Sequence, residues 1–169
     1  VRDSSLAAGT QAVIAADVGD VQLAYDYLAE AALLDHHDIA HNTADGLHLA
    51  ALAGGWTAVI TGLAGARQHE GRLSFAPRLP EPLTRIAFPL AFQGRVLRIE
   101  ITPGRASYEL CDGAPLAIEH WGTSLRLSTD ACATAAIPPP SSPPAFRQPA
   151  GRAPRRRRPP PQPAADARG

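Results

Sequence analysis

The hydrophobic period of this chain changes at Gly65, so its two halves must bury their apolar side chains in different ways. Before that glycine, Val21, Leu23, Ala24, Tyr27, Leu28, Ala31 and Leu34 recur at three- and four-residue intervals, as one face of a helix requires. After it, Leu73-Ser74-Phe75, Ile86 to Phe92 and Val96 to Ile101 alternate in the manner of strands. Gln93-Gly94, Thr102-Pro103-Gly104 and Cys111-Asp112-Gly113 supply turn signals about ten residues apart, the spacing of an antiparallel meander or sandwich. Further strands are expected at Ala106–Leu110, Leu116–His120 and Ser124–Leu127. Pro89 cannot donate to a ladder, which predicts an edge or a bulge at that strand.

The helical half divides in three. A first helix is expected over Ser4–Val18, with Leu6, Val13, Ile14 and Val18 as its apolar positions, Ser4 or Ser5 as cap and Gly19 just past its end. Asp20 then caps a second helix running to about Asp35. A third, Ala44 to Leu63, carries Leu47, Leu49, Leu52, Trp56, Val59, Ile60 and Leu63 almost all round, the pattern of a helix buried between others. Trp56 accordingly reads as core. The expected organisation is therefore α+β, with helices over 1–65 and a β-sandwich over 71–128. Three helices, one of them apolar on every side, do not close a core. Together with a start in mid-motif at Val1-Arg2-Asp3, this predicts a fragment whose third helix exposes Leu52, Trp56 and Val59 when its partners are missing.

Residues 138–169 hold 11 of the 17 prolines and seven of the 16 arginines against one acid. They lack the apolar side chains and backbone donors of a packed core, so a disordered tail is expected. The run Arg155 to Arg158 would attract nucleic acid or an anionic surface electrostatically, but it has no interleaved aromatics on which bases could stack, and no nucleic-acid partner is expected. No apolar run is long enough to span a membrane, and the N-terminus has neither the charged nor the apolar region of a signal peptide, so the expected compartment is the cytoplasm. Cys111 and Cys132 have no partner spacing and read as inert thiols.

The stretch Asp35 to His48 concentrates four of the six histidines and three aspartates. His37 and His41, four apart, would share a face only on a helix; the segment reads as a loop and lacks the glutamate of H-E-x-x-H, so no metal is expected. Asn42, Thr43 and the free N–H groups at the start of the third helix suit a phosphate or sugar hydroxyls, with Asp45 and Gly46 beside the cap. His48, one turn in, would donate to an anion as imidazolium or as a neutral N–H. A plain capping loop with solvated histidines is the alternative. Ser4 and Ser5, two hydroxyls at a helix start, suit an anion or an ordinary cap equally. Glu70, Glu81, Glu100, Glu109 and Glu119 form no defensible carboxylate pair for glycoside chemistry.

Four stretches together resemble the C-terminal part of glycoside hydrolase family 65, which contains inverting maltose, trehalose and kojibiose phosphorylases. They are Asp3-Ser4-Ser5-Leu6; Ala24-Tyr25-Asp26-Tyr27 with Ala31-Ala32-Leu33; Asn42 to His48 continuing to Leu52-Ala53-Gly54-Gly55-Trp56; and Gly71 to Pro80. Their order and spacing cover about residues 1–128. Ala7, where the family commonly has serine, and Ala66, where it commonly has methionine, depart from the pattern. The resemblance implies the last helices of an (α/α)6 barrel over 1–65, then a C-terminal β-sandwich over 71–128. It implies an intact enzyme that cleaves an α-glucoside with inorganic phosphate as co-substrate and no cofactor, giving β-glucose 1-phosphate. Ser4, Ser5 and His48 match the residues that help hold phosphate. The general-acid glutamate of the family lies upstream of the matched region, so the chain alone is expected to be inactive. A trehalose hydrolase of the same family and a non-catalytic sandwich that binds carbohydrate or mediates homodimer contacts are the other readings.

Overall fold

The computed structural model describes residues 6–139, 148 and 151–154. Ser4 and Ser5 lie outside the described residues.

The first helix, α1, spans Ala7–Asp17 and begins at Leu6 without a side-chain cap. It ends as expected: Gly19 takes a positive φ of 88°, its N–H bonding to the Ala16 carbonyl at 3.0 Å while that of Asp20 bonds to Ala15 at 2.9 Å. Asp20 then caps α2, Val21–Ala32, its carboxylate accepting from the Leu23 N–H at 3.0 Å. This helix stops short of Asp35, and residues 33–40 continue as turns.

The largest departure from expectation concerns the third helix. It does not start at Ala44: Thr43–Asp45 is a separate 3-10 turn, and α3 runs over Leu49–Thr57 before widening into a π-helical turn over Ala58–Leu63. Gly46, at φ 129°, breaks the chain between the two. Apolar periodicity runs through the break because Leu47 keeps step, although its side chain is exposed.

Helix packing also inverts the expected face of α1. Ala8, Gly9, Ala12, Ala15 and Ala16 are buried, whereas Leu6, Ile14 and Val18 are exposed. The small residues allow close approach: a Cβ on Gly9 would lie 2.7 Å from the Gly54 carbonyl oxygen of α3. Trp56 is likewise not core. It is 60% exposed, with an edge contact to Phe88, and Leu47, Leu49 and Leu52 are exposed with it. Val59 is instead packed against the core.

The strand half forms two four-stranded sheets. One has the order β1 (Arg67–His69), β2 (Arg72–Phe75), β6 (Leu116–His120), β7 (Thr123–Leu127). The other is β3 (Ile86–Phe92), β4 (Arg95–Thr102), β5 (Arg105–Asp112), β8 (Ala133–Ala136). The expected strands are present; β1 and β8, too short to show alternation, were not legible. Pro89 lies on the edge strand β3, as expected. All pairs are antiparallel except β2 with β6, which run parallel in the register Leu73 to Ile118. Gln93-Gly94 and Trp121-Gly122 take positive φ at both residues, as the two-residue turns of right-twisted hairpins require.

Phe75, Leu97, Ile99, Ile101, Tyr108, Leu110, Ile118 and Leu127 fill the space between the sheets, and one continuous apolar cluster joins them to the helices. Gly65 makes the junction at φ 62°, with no room for a Cβ beside the Ala76 carbonyl. Arg67 braces it, donating to both carboxylate oxygens of Asp17 at 2.7 and 2.9 Å. Within the segment expected as a tail, Gln148 and Arg152 meet α2: the Tyr27 hydroxyl donates to the Arg152 carbonyl at 2.7 Å and lies 3.2 Å from Gln148 Oε1. Arg155 to Arg158 lie outside the described residues. Among the described residues no helix is long and apolar enough to cross a membrane.

Candidate functional site

The segment between α2 and α3 folds around two aspartates. Asp38 accepts from the Thr43 backbone N–H at 3.1 Å and pairs loosely with exposed His41 at 3.9 Å. That N–H bond holds the Asp38 carboxyl below its ordinary range. The Asp45 and Gly46 N–H groups bond to the Asn42 and Thr43 carbonyls at 3.0 and 3.1 Å. The N–H groups of Thr43, Asp45 and Gly46 are therefore spent on the loop itself, and Asn42 and Thr43 open the 3-10 turn rather than α3. The physical reason is the break at Gly46: without a continuous helix, the donors close their own turn.

His48 is where the structure concentrates the site. It occupies the cap position of α3, with its side chain 18% exposed, and is gripped twice by Asp35, whose side chain is 9% exposed. One Asp35 oxygen, Oδ2, accepts from the His48 backbone N–H at 2.9 Å; the other, Oδ1, lies 2.5 Å from ring Nδ1. The hydrogen bond from His48 pulls the Asp35 carboxyl below its ordinary range despite partial burial. An ionised carboxylate only accepts, so Nδ1 carries the proton and donates. Among the described residues Nε2 has no partner. The neutral ring thus has no N–H to offer an anion, and of the two donor forms considered from sequence only the imidazolium remains.

Sequence reasoning placed Asp35 in this stretch without assigning it a role. The pairing spans 13 residues and depends on how the loop closes, so no local spacing marks it. Asn42, Asp45 and Gly46 are exposed and Thr43 half-buried, all on the turn leading into His48. The rings of His36 and His37 lie 5.0 Å apart at a tilt of 39°, and among the described residues no group of three metal-ligating side chains converges.

A concavity of about 770 Å³ lies away from His48, between the α1–α2 turn and the sandwich. Pro77, Leu79, Pro138 and Pro139 wall it, with the Arg78 guanidinium 4.7 Å over the Trp121 ring. None of the residues singled out from the sequence as site residues lines it.

Residues 1–57 match the model of the glycosyl hydrolase family 65 central catalytic domain, and residues 66–127 that of the family's C-terminal domain. The chain is 46% identical over 150 residues to an uncharacterized glycosyl hydrolase of Mycobacterium leprae, covering 83% of this chain and 19% of the relative. It is 34% identical to an α,α-trehalose phosphorylase of Geobacillus stearothermophilus, over 76% of this chain and 17% of that protein. It is 33% identical to a maltose phosphorylase of Bacillus subtilis, over 69% and 15%. The chain therefore spans less than a fifth of the length of these relatives. A solved structure assigned as a kojibiose phosphorylase from the human microbiome superposes with a TM-score of 0.78 at 20% identity, over 84% of this chain and 21% of that one.

Proposed function

The chain belongs to glycosyl hydrolase family 65, and on that premise we propose that it acts as the C-terminal part of an inverting disaccharide phosphorylase. Residues 1–65 supply the last helices of an (α/α)6 barrel, and residues 71–128 the sandwich that closes it. The intact cytoplasmic enzyme, a homodimer, cleaves a maltose-, trehalose- or kojibiose-type α-glucoside with inorganic phosphate to give β-glucose 1-phosphate. His48 holds the phosphate, aided by Ser4 and Ser5, with Asn42, Thr43, Asp45 and Gly46 shaping the loop. The general acid comes from outside this chain, which is inactive alone.

The observation that carries this reading is the His48 ring, half-buried at the head of α3 and fixed through Nδ1 while Nε2 has no partner among the described residues. A ring held this way loses little freedom on meeting an anion, which favours binding.

The test is a chimera in which residues 1–137 of this chain replace the matching end of the Geobacillus trehalose phosphorylase. We expect phosphate-dependent release of β-glucose 1-phosphate, and a His48→Ala version that needs more phosphate while its disaccharide requirement stays nearly unchanged. Sugar release that needs no phosphate would replace phosphorolysis with hydrolysis. An unchanged phosphate requirement in the alanine variant would remove His48 from the site.

A further inference from the structure

We propose that Asp35 is a positioning residue that sets the tautomer of His48, so that this site takes up phosphate only together with one proton. The inference rests on the reading of His48 as a phosphate ligand and assigns Asp35 the control of that ligand's chemistry.

The argument starts from the two contacts. Asp35 Oδ2 receives the His48 backbone N–H at 2.9 Å, and Oδ1 receives ring Nδ1–H at 2.5 Å. The backbone contact fixes how the carboxylate is turned, so the second oxygen has one place to go. With the Nδ1 proton committed, Nε2 is a lone pair in the neutral ring and an N–H only in the imidazolium. Facing a phosphate oxygen, Nε2 needs one proton between the two atoms. That proton is supplied either by the imidazolium meeting the dianion or by the monoanion's P–OH meeting the neutral ring. Both give the same bound state, with one hydrogen bond and the same net charge. When neither partner brings the proton, two lone pairs face each other and the contact is repulsive.

Other charged groups around the ring do not change this sign. Asp38, on the same loop, is already engaged by Thr43, and His41 beside it points to Asp38. Asp45, on the 3-10 turn, is exposed to solvent, and a negative charge there does not favour a dianion. The acid range in which Asp35 itself would protonate lies below its ordinary carboxylate value, so Asp35 stays a carboxylate over the range in which the proton on phosphate is exchanged.

The substitution Asp35→Asn tests the tautomer without removing bulk. The backbone N–H of His48 can only donate, so it selects the asparagine oxygen and turns the amide NH2 toward Nδ1. Nδ1 must then accept, and the neutral ring carries its proton on Nε2. The same exchange of carboxylate for amide against a histidine produces the wrong tautomer in the serine-protease triad. Here it would convert Nε2 into a donor at every pH.

The experiment uses the 169-residue chain with 15N-labelled histidine, read by side-chain NMR. In its neutral form the His48 ring is expected as the Nδ1–H tautomer in the native sequence and as the Nε2–H tautomer in Asp35→Asn. Inorganic phosphate is then titrated at several pH values. Affinity for total phosphate in the native chain should fall about tenfold per pH unit once both phosphate and ring have lost their protons, as uptake of one proton requires. In Asp35→Asn the fall should be less than about twofold per unit over the same range. A native ring in the Nε2–H form, an unchanged tautomer in Asp35→Asn, or parallel pH profiles would overturn the role of Asp35. No phosphate response in the native chain, or an equal response in His48→Ala, would overturn the ligand reading on which it rests, whatever the tautomers show.

Discussion

Tyr108 of β5 and His120 of β6 join the two sheets through a hydrogen bond of 2.8 Å from the buried phenol to ring Nδ1. The ring's other nitrogen, 3.0 Å from the Ala136 carbonyl, must carry the proton, because a carbonyl only accepts. Nδ1 is therefore the acceptor and the tyrosine the donor. Burial pushes the Tyr108 hydroxyl above its ordinary range, which keeps it a donor throughout the working pH range.

Tyr108→Phe leaves the His120 acceptor buried without a partner. A loss of about 1–3 kcal/mol in stability is expected, measured by urea unfolding. The double variant Tyr108→Phe with His120→Leu should recover part of that loss, since the buried ring acceptor is gone, and only part, because the Ala136 carbonyl gives up its His120 donor. Equal stability of Tyr108→Phe and the native chain would show the bond to contribute nothing.

Gly65 turns the chain between the halves where a side chain has neither the φ nor the space. Gly65→Ala should cost more than about 2 kcal/mol, from the left-handed backbone and from contact with Ala76 together. Gly122, at a φ of 79° but with open space around it, isolates the backbone contribution. Gly122→Ala should cost about 1 kcal/mol. Thermal melts that rank the two in the opposite order would contradict the packing at the junction.

Gly9 and Gly54 face each other across α1 and α3 asymmetrically. A Cβ on Gly9 meets the Gly54 carbonyl oxygen at 2.7 Å, whereas one on Gly54 meets the Gly9 Cα at an ordinary 3.6 Å. Gly9→Ala should therefore destabilise by about 1–3 kcal/mol through helix separation. Gly54→Ala should be neutral or gain up to about 1 kcal/mol in helix propensity. Paired unfolding curves decide, and similar effects at both sites would place the crossing elsewhere.

Asp35 and Glu100 both have folded-state carboxyls below their ordinary values of 3.8 and 4.5, the first through His48 and the second through the Arg85 guanidinium at 2.7 Å. Groups depressed in this way stabilise the fold above the unfolded value, and that contribution is lost as pH falls through the lower folded value. The melting temperature should drop steeply on acidification from about pH 5 to about pH 3, and more shallowly in Asp35→Asn. An acid limb with the same slope in that variant would mean that the His48 contact does not couple to folding.

Leu47, Leu49, Leu52 and Trp56 form an exposed apolar run at the α3 end of the molecule, with exposures from 42% to 72%. Sedimentation velocity should show the chain self-associating as concentration rises, and Leu49→Glu with Leu52→Glu should suppress it. A monomer at every concentration would show that the run is not sticky enough to drive association.

Periodicity, capping residues and turn signals placed the switch from helix to sheet, the Gly19 and Asp20 boundary between the first two helices, and six of the eight strands among the described residues. These features depend on neighbours a few residues away, where burial and turn chemistry act on consecutive side chains. The same local signal misled at α1, because the sequence pattern ranks Ile14 above Ala12 as a core residue. Two helices that approach at Gly9 and Gly54 instead bury the smallest side chains and turn the larger ones out. It misled at Trp56 as well, since a helix apolar all round implies covering partners that these elements do not provide. The place of His48 at the start of the third helix, and then the resemblance of short motifs, singled out that histidine, but not the residue that decides which ring nitrogen carries its proton. Asp35 is 13 positions away, and only closure of the loop brings both of its oxygens to one residue. The parallel pairing of β2 with β6 joins segments distant in the chain, and the Tyr108 to His120 bond joins consecutive strands that lie in different sheets; both meetings are decided by how the sheets stack rather than by any pattern within either strand.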